Sequence, residues 1–125
     1  MERPIGYWVK SVDRLIDESF DRALGARGVG RRHWQVLNLL AEAPRSEDAL
    51  EASLAPFGLG SALADLTRLG WVQGSYALTT LGEDALAGLR EEVGALRRRT
   101  TDGLSDDDYR TTVATLQRIT ENLSA

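Results

Sequence analysis

Apolar residues recur at steps of three and four along most of this chain, which is the spacing of amphipathic helices. The first such stretch covers residues 4–27, with Pro4 suited to a first helical turn and Gly28 to a stop. Its apolar positions are Ile5, Trp8, Val9, Val12, Leu15, Ile16, Phe20, Ala23 and Leu24. A second helix is predicted over residues 31–41, and Pro44 ends it. Its inward positions are predicted to be Trp34, Leu37, Leu40 and Ala41.

The middle of the chain predicts two shorter helices. Ser46 offers an N-cap for a helix that reaches about residue 54 and has an acidic first turn. A break at residues 56–60 separates it from a fourth helix, which Gly70 closes. The buried side of that fourth helix is marked by Leu59, Leu63, Leu66 and Leu69.

A small hairpin and two long helices complete the pattern. Residues 71–73 and 76–79 are predicted as two short strands joined around Gly74 and Ser75. Residues 80–83 match a capping box, with Thr80 as the cap of a fifth helix that reaches residue 99. Ser105 caps a sixth helix. The apolar side of this last helix carries Tyr109, Val113, Leu116, Ile119 and Leu123.

This order predicts a mainly α protein of one domain, residues 1–125, with six helices and a short two-stranded hairpin. Three short helices followed by a hairpin form a winged helix-turn-helix lobe over residues 31–79. Residues 1–28 and 80–125 add helices whose apolar faces so small a lobe cannot cover, so we expect a homodimer that buries them. The predicted dimerisation residues are Ile5, Val9, Val12, Ile16, Val113, Leu116, Ile119 and Leu123.

Composition narrows the function classes. The chain has no cysteine and a single histidine, so thiolate chemistry is absent and nucleophile–base arrangements are scarce. We therefore expect neither an enzyme nor a metal site, and no cofactor. The sequence has no apolar run of membrane-spanning length, and its N-terminus is unlike a secretion signal. The expected location is the cytoplasm.

The charge is distributed unevenly along the chain. The net charge of −4 differs from the basic footprint that is typical of DNA-binding domains. Residues 1–45 carry eight basic and six acidic side chains, a balance of +2. Residues 46–90, which include the third and fourth helices, carry two basic and six acidic side chains, a balance of −4. Phosphate contacts would therefore need arginines from outside that segment.

Three segments resemble the MarR (multiple antibiotic resistance regulator) family. Residues 32–37, Arg-His-Trp-Gln-Val-Leu, are similar to the opening of the family's second helix. Residues 63–72 are similar to the end of its recognition helix and its first wing strand. Residues 78–82, Leu-Thr-Thr-Leu-Gly, are similar to its return from the wing to the long helix. The order and spacing of these segments carry a resemblance that covers nearly the whole chain.

The resemblance implies a dimer held by the first, fifth and sixth helices. It also implies that the fourth helix enters the major groove of double-stranded DNA and the wing enters the minor groove. The candidate DNA-binding residues are Arg31, Arg32, Arg45, Ser61, Asp65, Thr67 and Arg68, and for each the alternative is a solvated polar surface. The wing departs from the family, because its tip is Gln73, Gly74 and Ser75 and lacks the usual Asp-Arg pair.

Aromatic residues on the first two helices are candidates for a ligand pocket, which many family members carry between their two lobes. Tyr7, Trp8, His33 and Trp34 would line it for a small aromatic or lipophilic effector, and plain core packing is the alternative. The like-charged series Asp13, Asp17 and Asp21 faces either solvent or an arginine across the dimer.

These observations predict a dimeric DNA-binding transcriptional regulator, an effector-responsive repressor. The alternative is a family member with a degenerate wing that does not bind DNA by itself and acts as a protein-interaction or ligand-binding module. The uncharged wing tip and the acidic middle segment favour the alternative, whereas the resemblance favours the regulator.

Overall fold

The computed structural model describes residues 2–54 and 58–124, and the predicted break at Pro56 lies outside these residues. Within them the mainly α prediction is confirmed, with six helices and one antiparallel hairpin. The elements are α1 (Ile5–Gly25), α2 (Arg31–Glu42), α3 (Glu47–Ser53), α4 (Leu59–Arg68), β1 (Val72–Gln73), β2 (Ala77–Leu78), α5 (Thr80–Thr100) and α6 (Asp106–Ser124). No helix in the described part of the chain is long and apolar enough to cross a membrane.

Two of the predicted helix caps are confirmed. The Ser46 hydroxyl accepts a hydrogen bond from the Ala49 amide at 3.1 Å, at the start of α3. At the start of α6 the Ser105 hydroxyl accepts from the Asp108 amide at 3.0 Å, and the Asp108 carboxylate accepts from the Ser105 amide at 3.2 Å. Each cap satisfies backbone donors that the first turn of a helix leaves unpaired.

The predicted cap of α5 is wrong by one residue. Thr79, not Thr80, is the N-cap, and its hydroxyl accepts from the Gly82 amide at 3.0 Å. Thr79 is extended, and its amide still donates to the Trp71 carbonyl at 3.0 Å, so the helix cannot begin earlier. The same hydroxyl donates to the Gly70 carbonyl at 2.6 Å. One side chain thus ties the start of α5 to the end of α4.

The hairpin forms a very short wing. Val72 pairs with Leu78 and Gln73 pairs with Ala77 in antiparallel register. The turn between the strands includes Gly74 and Tyr76, both with positive φ, at 61° and 64°. The wing therefore adds little surface beyond the body of the lobe.

The core lies between α2, α4 and α5, with α3 and β1 closing its sides. Its buried members include Leu37, Leu40, Leu50, Leu59, Leu63, Leu66, Val72, Leu86 and Leu89. Three expectations about facing were wrong. Ala41 is exposed and Val36 is buried instead, and Ala62, which is not among the residues predicted for the buried side of α4, is only 2% exposed. Leu69 is 43% exposed because α4 ends at Arg68, which leaves Leu69 beyond the buried stripe as the C-cap.

Large apolar side chains remain uncovered on α1 and α6. No residue of α6 is buried in the protomer, and α1 buries only Leu24. The exposed apolar residues of these two helices include Ile5, Tyr7, Trp8, Val9, Val12, Leu15, Ile16, Tyr109, Val113, Leu116 and Leu123. Exposed large apolar side chains in this number are typical of an interaction site.

The contact between α5 and the wing leaves no room for a side chain at Gly82. A Cβ built there would lie 2.0 Å from the Trp71 carbonyl oxygen, a backbone atom that cannot rotate away. We expect Gly82→Ala to lower the free energy of unfolding by about 1–3 kcal/mol through overpacking. Urea denaturation followed by circular dichroism measures the change.

Gly94→Ala is the matched control in the same helix. Its Cβ would meet only the end of the Arg98 side chain, at 3.5 Å. Because alanine is the better helix former, this change should raise the free energy of unfolding by about 0.5–1 kcal/mol. Equal effects of the two substitutions would contradict the close packing at Gly82.

Candidate nucleic-acid interface

The outward face of α4 is the candidate recognition surface. Burial of Leu59, Ala62, Leu63 and Leu66 against the core turns the other side of the helix to solvent. That side exposes Ser61, Ala64, Thr67 and Arg68, with Asp65 partly covered at its edge. Arg68 is the only basic residue of α4, and its side chain is 73% exposed.

A hydrogen-bonded network joins α4 to the first turn of α2. The Gly30 amide donates to His33 Nδ1 at 2.9 Å, so in the neutral ring the proton resides on Nε2. His33 Nε2 lies 2.9 Å from Asp65 Oδ2 and donates to it in this tautomer. Arg68 Nη1 forms an ion pair with the other carboxylate oxygen, Asp65 Oδ1, at 3.0 Å. Asp65 is therefore held from two sides.

These partners change the acidity of Asp65. The His33 hydrogen bond is the main cause that lowers the pKa of the carboxyl below its ordinary value of 3.8, and Arg68 adds to it against a desolvation that raises the pKa. A depressed folded pKa gives stabilisation that is present above the ordinary value and is lost as the pH falls through the folded pKa. At neutral pH Asp65 is a carboxylate.

The hydroxyls of Thr67 and Ser61 on this face differ in the hydrogen bonds that they already make. The Thr67 hydroxyl donates to the Leu63 carbonyl at 2.8 Å, so its proton is already used and its oxygen can only accept. Ser61 lies exposed in the first turn of α4. Of the predicted DNA-binding residues, the structure thus brings Ser61, Asp65, Thr67 and Arg68 together on one helix.

Arg31 is engaged by the first helix. Its guanidinium contacts Asp17 Oδ1 at 2.9 Å and Asp21 Oδ1 at 3.1 Å, and lies 4.9 Å from the centre of the Phe20 ring. The hydrogen bond to Asp17 is the main cause that raises the already high pKa of Arg31. Asp17 and Asp21 of the acidic series on α1 therefore face an arginine of their own chain. This arginine links α1 to α2.

Arg32 and Arg45 lie at opposite ends of α2. Arg32 donates to the Gln35 side chain at 2.9 Å and remains near His33 in the first turn. Arg45 follows the end of the helix, where it donates to the Leu39 carbonyl at 3.2 Å and pairs with Glu42 at 2.7 Å. Arg32 thus has no acidic partner among the described residues, unlike Arg31 and Arg45.

The wing tip offers no charge to DNA. Gln73, Gly74 and Ser75 are exposed and uncharged. Behind the tip, the Tyr76 carbonyl accepts a hydrogen bond from the Arg45 amide at 3.0 Å, which ties the wing to the turn before α3. The wing can contact DNA only through neutral groups.

The four residues predicted to line a pocket do not meet. Tyr7 and Trp8 are exposed and contact each other, with ring centroids 5.0 Å apart. Trp34 packs against Phe20 instead, at 6.0 Å. Trp8 and Phe20 are twelve residues apart on α1, or about 18 Å along the helix. The His33 ring is hydrogen-bonded to Asp65 instead.

A cleft of about 610 Å³ lies between α2 and α5, and the sequence pattern did not predict it. Trp34 and Leu39 line one side, and Arg90 and Arg97 line the other. Arg90 donates twice to the Asn38 side-chain oxygen, at 3.1 and 2.8 Å, so it is fixed at the wall. The seven-residue spacing of the two arginines, which places both on one helix face, was the signal available in the sequence.

The predicted dimerisation residues all lie on the surface of α1 and α6. Ile119 is partly buried and the other seven are exposed, with Leu123 the most exposed at 82%. Between the two helices and the end of α5 lies a second cleft of about 720 Å³, lined in part by Ile16, Leu104 and Tyr109.

The acidity of Asp65 provides a direct test of the network. We expect the Asp65 side-chain carbon to titrate with a midpoint below 3.8 in an NMR titration. His33→Phe should raise that midpoint more than Arg68→Ala does, because the His33 hydrogen bond is the larger cause. Arg110→Ala, on α6, is the control and should leave it unchanged. A wild-type midpoint at or above 3.8 would contradict the geometry.

Comparisons with known proteins support the fold. No protein-family model matches the chain, and no curated protein matches it. A putative MarR family transcriptional regulator from Clostridium acetobutylicum is similar with a TM-score of 0.77 and 15% identity, covering 98% of each chain. The Mycobacterium tuberculosis MarR family protein Rv2887 is similar in two structures at 23% identity, both covering 94% of this chain.

The two Rv2887 structures contain different ligands. In its complex with DNA the TM-score is 0.71 and 98% of that chain is covered. In its complex with salicylic acid the TM-score is 0.64 and 99% of that chain is covered. The chain matches these neighbours over nearly its whole length. The protein therefore has the winged-helix fold of MarR transcriptional regulators.

Proposed function

We propose that this protein is a homodimeric, DNA-binding transcriptional regulator that responds to a small effector. The observation that carries the proposal is the pairing of a solvent-facing recognition helix, α4, with a large uncovered apolar surface on α1 and α6. α5 connects the two features along the chain, because it runs from the wing to the segment that precedes α6. A dimer built on α1 and α6 would present two copies of α4 to one duplex.

The uncovered surface supports a dimer of identical chains. Val113 and Leu116 are at least 38% exposed on α6, and Val12 and Leu15 are more than half exposed on α1. A twofold interface is self-complementary, so apolar faces on both helices can cover each other. The charged residues at the start of α6 lie at the edge of this apolar face, as expected for the rim of an interface.

The charges around α4 support binding that depends little on phosphate contacts. Arg32 has no acidic partner among the described residues, whereas Arg31, Arg45 and Arg68 are paired with acids of their own chain. Each phosphate contact contributes about −0.9 to the slope of log K against log salt. We therefore expect a shallow slope of log K against log salt.

The cleft between α2 and α5 supports an aromatic anion as the effector. Trp34 and Leu39 offer apolar contacts, and Arg90 and Arg97 offer a charge-assisted partner for a carboxylate. The similar protein from Mycobacterium tuberculosis was crystallised with salicylic acid. A ligand there would lie between the helix that positions His33 and the helix that runs to the dimer surface, so it can change the spacing of the two α4 copies.

A second candidate function rests on the wing. Its tip is uncharged, and the segment 46–90 has a net charge of −4. A protein of this fold that does not bind DNA alone would act as a protein-interaction or ligand-binding module. The two candidates differ in one measurable property, DNA binding by the purified dimer.

The dimer is tested on α6. Leu116→Asp should convert a dimer into a monomer in sedimentation velocity at micromolar concentration, because a carboxylate in an apolar interface is costly. Thr111→Asp, on the opposite face of the same helix, is the control and should remain dimeric. Leu116 is 40% exposed in the protomer, so circular dichroism should show the helices retained. A monomeric wild-type protein would refute the proposed assembly.

DNA binding is tested by fluorescence anisotropy on random and genome-derived duplexes, from about 50 to 200 mM salt, the range over which phosphate contacts are resolved. Sequence-selective binding is expected. Arg68→Ala should weaken it by about tenfold, the cost of one lost charged contact. Arg118→Ala, on α6, is the control for a lost surface arginine.

Salicylate added to the bound complex should release the DNA if the α2–α5 cleft is the effector site. Arg90→Ala should reduce that release without changing DNA binding in the absence of salicylate. No DNA binding at the lowest salt, from a protein shown to be dimeric, would overturn the regulator and favour the interaction module.

A further inference from the structure

We propose that Asp65 and Arg68 together recognise one G·C base pair in each half-site and that His33 is the positioning residue for this pair. The inference rests on the proposed DNA-binding function and specifies which bases α4 contacts. Asp65 and Arg68 lie one helical turn apart on α4, with Arg68 on the exposed side and Asp65 partly covered at its edge, and a contact of 3.0 Å joins Nη1 to Oδ1.

The two side chains match the major-groove edge of a G·C pair. Guanine presents two acceptors, N7 and O6, and the paired cytosine presents one donor, the N4 amine, beside O6. A guanidinium donates two parallel hydrogen bonds to N7 and O6, and a carboxylate accepts from N4. Asp65 and Arg68 supply these groups next to each other, in the same donor and acceptor order.

An A·T pair would be disfavoured by the same groups. Its edge presents acceptor N7, donor N6 and acceptor O4 in succession. The guanidinium would then meet the N6 amine, donor against donor, and the carboxylate would meet O4, acceptor against acceptor. Because unmatched polar groups are costly when they are desolvated, the discrimination would come from repulsion as well as attraction.

The carboxylate keeps capacity for a base while it is held. Each of its oxygens has two lone pairs, and one pair on each is used, by His33 Nε2 at 2.9 Å and by Arg68 at 3.0 Å. Arg68 uses one of its five N–H donors in this contact, which leaves four. Both groups can therefore bind a base pair without breaking the contact between them.

His33 acts on this pair without reaching the DNA. Its side chain is only 17% exposed, and the Gly30 amide fixes its ring by donating to Nδ1 at 2.9 Å. The remaining donor, Nε2–H, is directed at Asp65. An Asp65 carboxylate that is fixed before binding loses less conformational freedom when it meets cytosine.

The net charge of the Asp65–Arg68 pair predicts how the pair contributes to DNA binding. A carboxylate and a guanidinium in contact sum to zero, so together they release few counterions from DNA. Their loss should therefore reduce discrimination between bases more than it changes the salt dependence. An ion pair that only neutralises the helix surface would have the opposite effect, because removing Asp65 would then strengthen binding to every sequence.

The experiment is selection of duplexes from a randomised library by the purified full-length protein, followed by sequencing. The wild-type consensus should contain a G·C pair at one symmetric position in each half-site. Asp65→Asn and Arg68→Ala should lose preference at that position, on the order of tenfold, while the rest of the consensus remains. Competition binding with single-base-pair variants of the consensus measures the fold-change.

Asp107→Asn is the matched control. Asp107 and Arg110 on α6 form a contact with the same three-residue spacing and the same 3.0 Å distance. Loss of that pair should leave the consensus unchanged. His33→Gln retains a donor for Asp65 and His33→Leu does not, so the glutamine variant should keep the G·C preference that the leucine variant loses. Equal unfolding midpoints of the two His33 variants would exclude a purely structural effect.

The outcomes separate this inference from the function on which it rests. A wild-type consensus that survives unchanged in Asp65→Asn and Arg68→Ala would overturn the inference and leave the regulator intact. Asp65→Asn binding more tightly to all sequences would also overturn it and identify Asp65 as a neutralising residue. If the wild-type protein enriches no sequence and shows no salt-dependent binding, the proposed DNA-binding function itself fails.

Discussion

The burial of one leucine-rich side of α4 determines what the protein can present to a partner. Leu59, Leu63 and Leu66 are almost fully buried in the core, where α4 packs against α2 and β1, and this fixes the rotation of α4 about its own axis. Once that rotation is set, Ser61, Ala64 and Arg68 face solvent and Asp65 faces the first turn of α2. The polar network at His33 is a consequence of packing, because only this rotation brings Asp65 within hydrogen-bonding distance of the ring.

The small interior of the lobe explains why the apolar faces of the other helices remain uncovered. The small lobe has enough interior for one side of α5 and the end of α1, where Leu89, Val93 and Leu24 are buried. Nothing in the described protomer covers α6 in the same way. Recognition surface and uncovered surface therefore arise from one constraint, which is that a short chain cannot bury the apolar faces of three long helices by itself.

The sequence predicted the elements better than the site. Helical spacing, the caps at Ser46 and Ser105 and the two short strands were sufficient to predict the fold, because these signals are local. The cap at Thr79 was missed by one residue, since either threonine can cap and the choice depends on a hairpin bond to Trp71. Local sequence signals determine which helices and strands form, whereas the exact residues at which these elements begin and end depend on tertiary contacts.

The site depends on contacts between residues that are distant in the sequence. His33 and Asp65 are 32 residues apart, and no spacing rule connects them. The predicted aromatic pocket groups Tyr7 and Trp8 with Trp34 by residue type. Within the protomer the length of α1 keeps them apart. Residue type suggests chemistry, but only the crossing of helices decides which groups meet.

The acidic balance of the chain also has a structural explanation. Asp17 and Asp21 hold Arg31, Glu42 holds Arg45, and Asp65 holds Arg68, so several acids are committed to arginines of the same protomer. The net charge of the chain counts these acids as if they were not paired with arginines. For the two arginines that join helices or close a helix end, the acid serves the fold. Asp65 instead holds an arginine on the exposed side of α4, where Arg68 is 73% exposed. Under the proposed function this is the pair that contributes both charge and base specificity.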